Sequence, residues 1–363
     1  MSFGPTCVVV AASRMSDVHS SIVEKIIGVE IAEDHMTRAA VAPGIGAPAV
    51  PSGGDSVVGL RSKRDPGART VIIPAGNDRT LEVLDAGPED GFPLVYHHGT
   101  PQAAVPFPTL ERAAAEHGLR VISYSRPGYG ASSPRSDGAT TAQVGDDAAD
   151  TATVLDHLGV GNFLTIGWSG GGPRALACAA LLPDRCLAAA CCVGIAPADE
   201  YDGDIRDGMA EENVAEYSAI FAGVEELEAF LDIRKGFFAV TAEQVAEGLG
   251  ALAPPVDRAA LTGELAEYLA SSVNAAGRQG IVGWRDDDLT HTRPWGFDLS
   301  EIRVPVSLWQ GRLDTMVPFA HVEWLAANIA GARAHLVDGE GHISLMQKVP
   351  AILEELRQLG GVE

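Results

Sequence analysis

The sequence predicts an α/β fold: a mostly parallel, eight-stranded sheet with helices on both faces and a helical segment inserted before the last two strands. Two observations carry this. From about Ala68 onward, short β-branched apolar runs alternate with Ala-rich amphipathic stretches, the pattern of βα units around a parallel sheet. That alternation stops at Pro197 and resumes at VPVSLWQG, and the residues between are rich in helix formers with no convincing strand.

Taken in order, residues 1–66 differ from the rest. They hold a short amphipathic stretch around His19 to Ile31 and then APGIGAPAVPSGG, whose Pro and Gly content reads as a linker, so an N-terminal extension is expected here. TVIIPAG and TLEVLDAG read as an opening strand pair joined at Asn77 and Asp78, residues that tolerate a tight turn. PLVYHHG, LRVISYSRPG and NFLTIGWS are near-continuous apolar runs, expected for strands buried on both faces. Helices are expected over about 105–117, 142–158 and 170–182, followed by the strand RCLAAACCVGIAP. After the insertion, VPVSLWQG is a strand, 318–329 a helix, ARAHLVDG a strand and 344–359 a closing helix. The core is therefore expected in two pieces, 67–197 and 298–363, with 198–297 as a helical cap.

Composition narrows the function. A net charge of -23 disfavours nucleic acid and anionic membrane surfaces, because binding phosphate needs clustered Lys and Arg. No apolar run reaches the roughly 18 residues needed to span a bilayer, and CVVVAA near the N-terminus lacks the basic flank of a secretory signal. The five cysteines, Cys7, Cys178, Cys186, Cys191 and Cys192, show no CxxC spacing and read as small core residues in a reducing compartment. A cytoplasmic protein acting on a small molecule is the expectation. The oligomeric state is not legible.

The chemistry is carried by GWSGG. With 41 glycines in the chain, one GxSxG match is weak; its position is what counts. It falls where the strand NFLTI ends and an Ala-rich helix begins, the strand-turn-helix setting of a nucleophile elbow centred on Ser169. A serine hydroxyl needs a histidine base, itself oriented by a carboxylate. Downstream of VPVSLWQG lie His321, inside a helical pattern, His335, inside a strand, and His342, in the glycine-flanked loop GEGHIS. His342 is the candidate base. Asp314, in the loop LWQGRLDTMVP directly after a strand, is the candidate acid, with Asp338 and Asp199 as runners-up. The amides of Gly170, at a helix start, and Thr100, in HHGTP, are the candidate oxyanion donors. Adjacent His97 and His98, without a third ligand nearby, read as structural rather than metal-binding.

These pieces in this order resemble the α/β-hydrolase family. HGTP looks like its oxyanion loop, SRPGYGASS like the arginine-containing turn after the fourth strand, GWSGG like its elbow, and GRLDTMVP and GEGHIS like its acid and histidine loops. The resemblance implies a serine hydrolase acting on a small ester or amide, carboxylesterase-like, with no metal or organic cofactor. It also allows a proline iminopeptidase-like aminopeptidase, a carbon-carbon bond hydrolase or a cofactor-free perhydrolase. Ser125 stands where many relatives carry an aspartate before the arginine, which leaves the salt bridge there open. The insertion occupies the place of the family's cap, with Trp168, Trp284 and Trp295 as candidate pocket residues. Asp286, Asp287 and Asp288 lack a calcium-loop spacing and read as a solvated acidic turn flanking a helix.

Two other classes are weighed against this one. GGGPRA formally matches GxGxxA, but no acidic residue closes a following strand about 20 residues on, so a dinucleotide site is disfavoured. A non-catalytic binding protein on the same fold is disfavoured by the complete Ser, Asp and His set.

Overall fold

The computed structural model describes residues 60–61 and 67–362. Cys7, the amphipathic stretch around His19 and nearly all of the expected 1–66 extension lie outside the described residues. The described residues fall in one compact unit.

The strands are β1 (Leu60–Arg61), β2 (Arg69–Pro74), β3 (Thr80–Ala86), β4 (Phe92–His97), β5 (Leu119–Tyr124), β6 (Phe163–Trp168), β7 (Cys186–Cys192), β8 (Val306–Gly311) and β9 (Arg333–Val337). They form one sheet in the order β1-β2-β3-β5-β4-β6-β7-β8-β9. The eight expected strands are all present, and the two-residue β1 adds a short edge that the sequence does not announce. β2 and β3 are antiparallel, joined through Asn77 and Asp78, both in the left-handed region. From β5 to β9 every pairing is parallel.

A parallel sheet is stable only when both faces are covered, and alternate residues along each strand serve the two faces. Leu94 and Leu164 pack with α1 (Pro108–Glu116) and the last helix, Val349–Gly360, on one side. Val95 and Phe163 pack with the helices Asp146–His157, Gly172–Leu181 and Ala320–Asn328 on the other. Cys178, Cys186, Cys191 and Cys192 are free thiols buried in this core, and burial pushes all of their pKa values up.

Between β7 and β8 the described chain contains helices and no strand. The longer ones are Glu211–Ala222, Val224–Arg234, Ala242–Leu252, Gly263–Ala276 and Val282–Thr292, and a short one spans Pro255–Ala260. Their apolar residues Tyr217, Ile220, Leu231 and Trp284 share one buried cluster with Tyr129, Ile195 and Val317 of the flanking loops. No described helix is long and apolar enough to cross a membrane.

The helix Val282–Thr292 overturns one expectation. Asp286, Asp287 and Asp288 are not a solvated turn: they lie within this helix at 6%, 5% and 3% exposure. Burying three consecutive carboxylates demands compensation, and the partners come from distant parts of the chain.

Candidate active site

β6 is buried along its whole length and ends at Trp168. The chain then turns through Ser169–Gly171 into the helix Gly172–Leu181. Ser169 is held at φ 54, a conformation that costs an L-residue roughly 1–2 kcal/mol. The flanking glycines make the turn possible. A Cβ on Gly167 would run into the Gly171 carbonyl, and one on Gly171 into the His97 carbonyl. Gly170 is packed as tightly against Thr100, whose hydroxyl occupies the space a Cβ would need. The two candidate oxyanion residues are therefore neighbours, one in the first turn of a helix, where amides lack intrahelical acceptors, and one in the loop after β4.

His342 and Asp314 meet from the loops after β9 and β8, with Nδ1 of the imidazole 2.8 Å from Asp314 Oδ2. Asp314 is anchored on every side: Oδ1 accepts from the amides of Met316 and Val317 at 2.8 and 2.9 Å, and Oδ2 also accepts from Gln310 Nε2 at 2.7 Å. A carboxylate so placed puts the imidazole proton on Nδ1 and leaves Nε2 as an acceptor. Burial pulls the His342 pKa down, but the charge and hydrogen bond of Asp314, aided by Asp257, outweigh it and raise it above the ordinary value of 6.5.

The runners-up do not reach this histidine. Asp338 is exposed and pairs with Arg312, and Asp199 is exposed. His321 is buried, accepts from the Ala196 amide and stacks on Tyr201; His335 stacks on Trp309 and pairs with Glu355.

Ser169, Gly170, Thr100 and His342 line one cavity of about 150 Å³. Its apolar wall includes Trp168, Phe237, Leu269, Val273 and Met346; Glu216, Asp288 and His291 form a polar side. Of the three candidate pocket tryptophans only Trp168 lines it. Trp284 stands behind the wall, its indole donating to Glu216 at 2.7 Å and its ring packed edge-on to Phe238. Trp295 is buried in the sheet's helix-covered core beside Phe297. Both are too deep in apolar clusters to reach the cavity.

Asp287 ties the inserted helices to this site. Its carboxylate takes the guanidinium of Arg126 at distances down to 2.5 Å and that of Arg174 at 3.0 Å, and accepts the Thr100 hydroxyl at 2.7 Å. Arg126 in turn donates to the carbonyls of His98 and Gly99, and Arg174 to that of Gly170. One buried carboxylate thus fixes both candidate oxyanion loops. Burial would raise its pKa, but the two arginines hold it well below the usual carboxylate range. This also resolves the Ser125 question. Ser125 bonds Glu82 and the Ala104 amide, and the negative partner of Arg126 comes from the insertion instead. His98 is structural, with Nδ1 on the Gly99 carbonyl and Nε2 accepting from the Arg126 amide; His97 is buried and neutral, its pKa lowered to about 3 by burial and nearby arginines. Asp287→Ala leaves two buried arginines short of a counter-charge, so urea denaturation should show a loss of about 3–5 kcal/mol. A loss below about 1 kcal/mol would mean that the ion pairs contribute no net stability.

Asp257, from the short inserted helix, is another residue that sequence reasoning missed. It is fully buried and accepts from the amides of His342, Ile343 and Ser344 at 2.8, 3.1 and 2.8 Å, clamping the histidine loop. Gly341 permits the approach, because a Cβ there would sit 2.5 Å from the Asp257 carboxylate. No local motif signals this contact; the two residues are 85 apart.

The strand order, with a serine turn after β6 and a histidine loop after the last strand, is that of the alpha/beta hydrolases. The chain belongs to the alpha/beta hydrolase fold family, which it matches over residues 93–349. It is 30% identical over 262 residues to a non-heme chloroperoxidase from Streptomyces lividans, covering 71% of this chain and 86% of the relative. Among solved structures it is similar to a bromoperoxidase from Bacillus anthracis (TM-score 0.59, 21% identity, 81% of this chain and 100% of that one). It is also similar to a thermophilic esterase from Thermogutta terrifontis (TM-score 0.56, 22% identity, 80% and 99%). At these identities the two structures speak to the fold.

Proposed function

We propose that the chain is a serine hydrolase that cleaves a small ester or amide through an acyl-enzyme. The observation that carries this reading is the Asp314–His342 pair at 2.8 Å, facing the same cavity as Ser169 in its strained turn. Ser169 Oγ attacks the carbonyl carbon while His342 Nε2 takes its proton. Asp314 holds the tautomer and stabilises the imidazolium, and the amides of Gly170 and Thr100 receive the developing oxyanion. His342 then protonates the leaving group and activates water to release the acid. The inserted helices act as a cap that closes the cavity and excludes bulk water.

The likeness to a non-heme chloroperoxidase favours a second use of the same intermediate. Hydrogen peroxide attacking the acyl-enzyme in place of water gives a peracid and free Ser169, with His342 again taking the nucleophile's proton. This needs no metal or organic cofactor.

The test is fluorophosphonate labelling of the full chain together with p-nitrophenyl acetate turnover. The expected result is a single adduct on the Ser169 peptide and turnover that the adduct abolishes. Because His342 must be neutral to act as base, kcat/KM should rise with pH through an inflection above 6.5. A protein that neither labels nor turns over acetate is a binding module, and the reading fails.

A further inference from the structure

Three consecutive aspartates in the helix Val282–Thr292 have three different fates. Asp286 pairs with Arg285 at 2.7 Å, and Asp287 takes Arg126 and Arg174. Asp288 has no ion pair among the described residues; it faces Glu216 at the wall of the Ser169 cavity. Glu216 likewise has no ion pair among the described residues: it accepts from the Trp284 indole and is hydrogen-bonded to Asp288, while the nearby Arg234 is engaged with Glu212. Asp288 Oδ2 is buried and receives no donor among the described residues.

A second, independent orphan lies one turn along the same helix. His291 is 5% exposed and lines the cavity, its Nδ1 is 3.4 Å from the Tyr217 hydroxyl, and its Nε2 is buried with no partner among the described residues. Its Cε1 lies 3.3 Å from the place of a Cβ on Gly170. His291 thus lies beside Gly170, and Asp288 and Glu216 line the same cavity as Ser169.

From this arrangement, and resting on the hydrolase reading above, we propose that Glu216, Asp288 and His291 form a subsite for a protonated amine, so that the enzyme acts on small amino-acyl esters or amides. An ammonium has three donors and no acceptor. The site offers three acceptors: one oxygen from each carboxyl, and His291 Nε2 when the proton sits on Nδ1 toward Tyr217. The cavity is comparable in volume to one that holds a benzene-sized ligand. Ser169 lines the same small cavity, so an amine held there lies close to the scissile carbonyl.

The protonation states agree with an empty cation site. Burial and the proximity of Glu216 push Asp288 well up, and burial likewise raises Glu216, the direction expected of two buried carboxyls that lack a counter-charge. Burial and the nearby Arg174 lower His291 to about 3, which keeps it a neutral acceptor. An entering ammonium supplies that counter-charge, and any proton the pair holds leaves to solvent.

The experiment compares alanine methyl ester with its des-amino counterpart, methyl propionate, by pH-stat. In the unaltered protein kcat/KM should favour the amino ester at least tenfold. Glu216→Gln and Asp288→Asn should bring that ratio close to one, and the ratio within each protein normalises any general loss of activity. A ratio near one in the unaltered protein, or a preference that survives both substitutions, overturns the subsite. Binding is read separately by titrating the full chain with ethylammonium chloride and following tryptophan fluorescence, since the Trp284 indole is bonded to Glu216. A saturable change that Trp284→Phe removes supports the subsite, and no change at any concentration counts against it. If neither ester is cleaved and fluorophosphonate does not label, the hydrolase reading falls, and the titration alone then decides whether an amine binds.

Discussion

Ser169→Ala should abolish turnover of p-nitrophenyl acetate, lowering kcat on the order of 10⁶-fold, the loss seen when the nucleophile of a Ser-His-Asp set is removed. Only background from the proposed oxyanion donors and substrate binding would remain. The fold should be untouched, for a specific reason. Ser169 already sits at φ 54, and alanine meets the same backbone strain there as serine, with one oxygen fewer. Circular dichroism and the urea midpoint should therefore match those of the parent protein. Turnover retained at more than about a hundredth of the parent rate would sink the assignment of Ser169.

Asp314→Asn should cost about 10⁴ in kcat, again with little change in structure. The asparagine oxygen can keep the amides of Met316 and Val317, but its NH2 then faces Gln310 Nε2 and His342 Nδ1, where the carboxylate accepted two donors. The imidazole answers by moving its proton to Nε2, the nitrogen that must accept from Ser169. The pH profile adds a second readout. Loss of the Asp314 charge removes the largest influence raising His342, so the acid-side inflection of any residual kcat/KM should move to lower pH. Asp338→Asn and Asp199→Asn, both at exposed positions, should stay within a few-fold of the parent. If either of them, and not Asp314→Asn, abolishes turnover, the acid has been misplaced.

The features that could be read from the sequence are those whose physics is local. Alternating apolar runs set the strands, and their burial on both faces set the parallel sheet. Asn77 and Asp78 at left-handed positions joined the first hairpin. The glycines of GWSGG allowed the tight turn that presents Ser169. Element ends moved by a few residues, as in the helix expected over 105–117 and found at Pro108–Glu116, because capping and packing together set a terminus.

What surrounds the serine was decided only in three dimensions. The run Asp286–Asp288 looks like a solvated turn because burying a carboxylate is costly, and the compensation that makes it tolerable lies far away: Arg126 is 161 residues from Asp287 and Arg174 is 113. Asp257 gives no local sign that it grips the loop of His342, and Trp284 and Trp295 look like pocket residues until their clusters are seen. Glu216 and His291, on different inserted helices, become a polar wall only when both are folded over the same cavity. By itself the sequence determined the fold and nominated Ser169, Asp314 and His342 as the candidate set, because strand periodicity, turn chemistry and chain order are properties of short segments. The tertiary structure decided which charges are buried and what they face, because desolvation and ion pairing depend on neighbours that the chain supplies from distant segments, 85 residues away for Asp257 and His342 and 161 for Asp287 and Arg126.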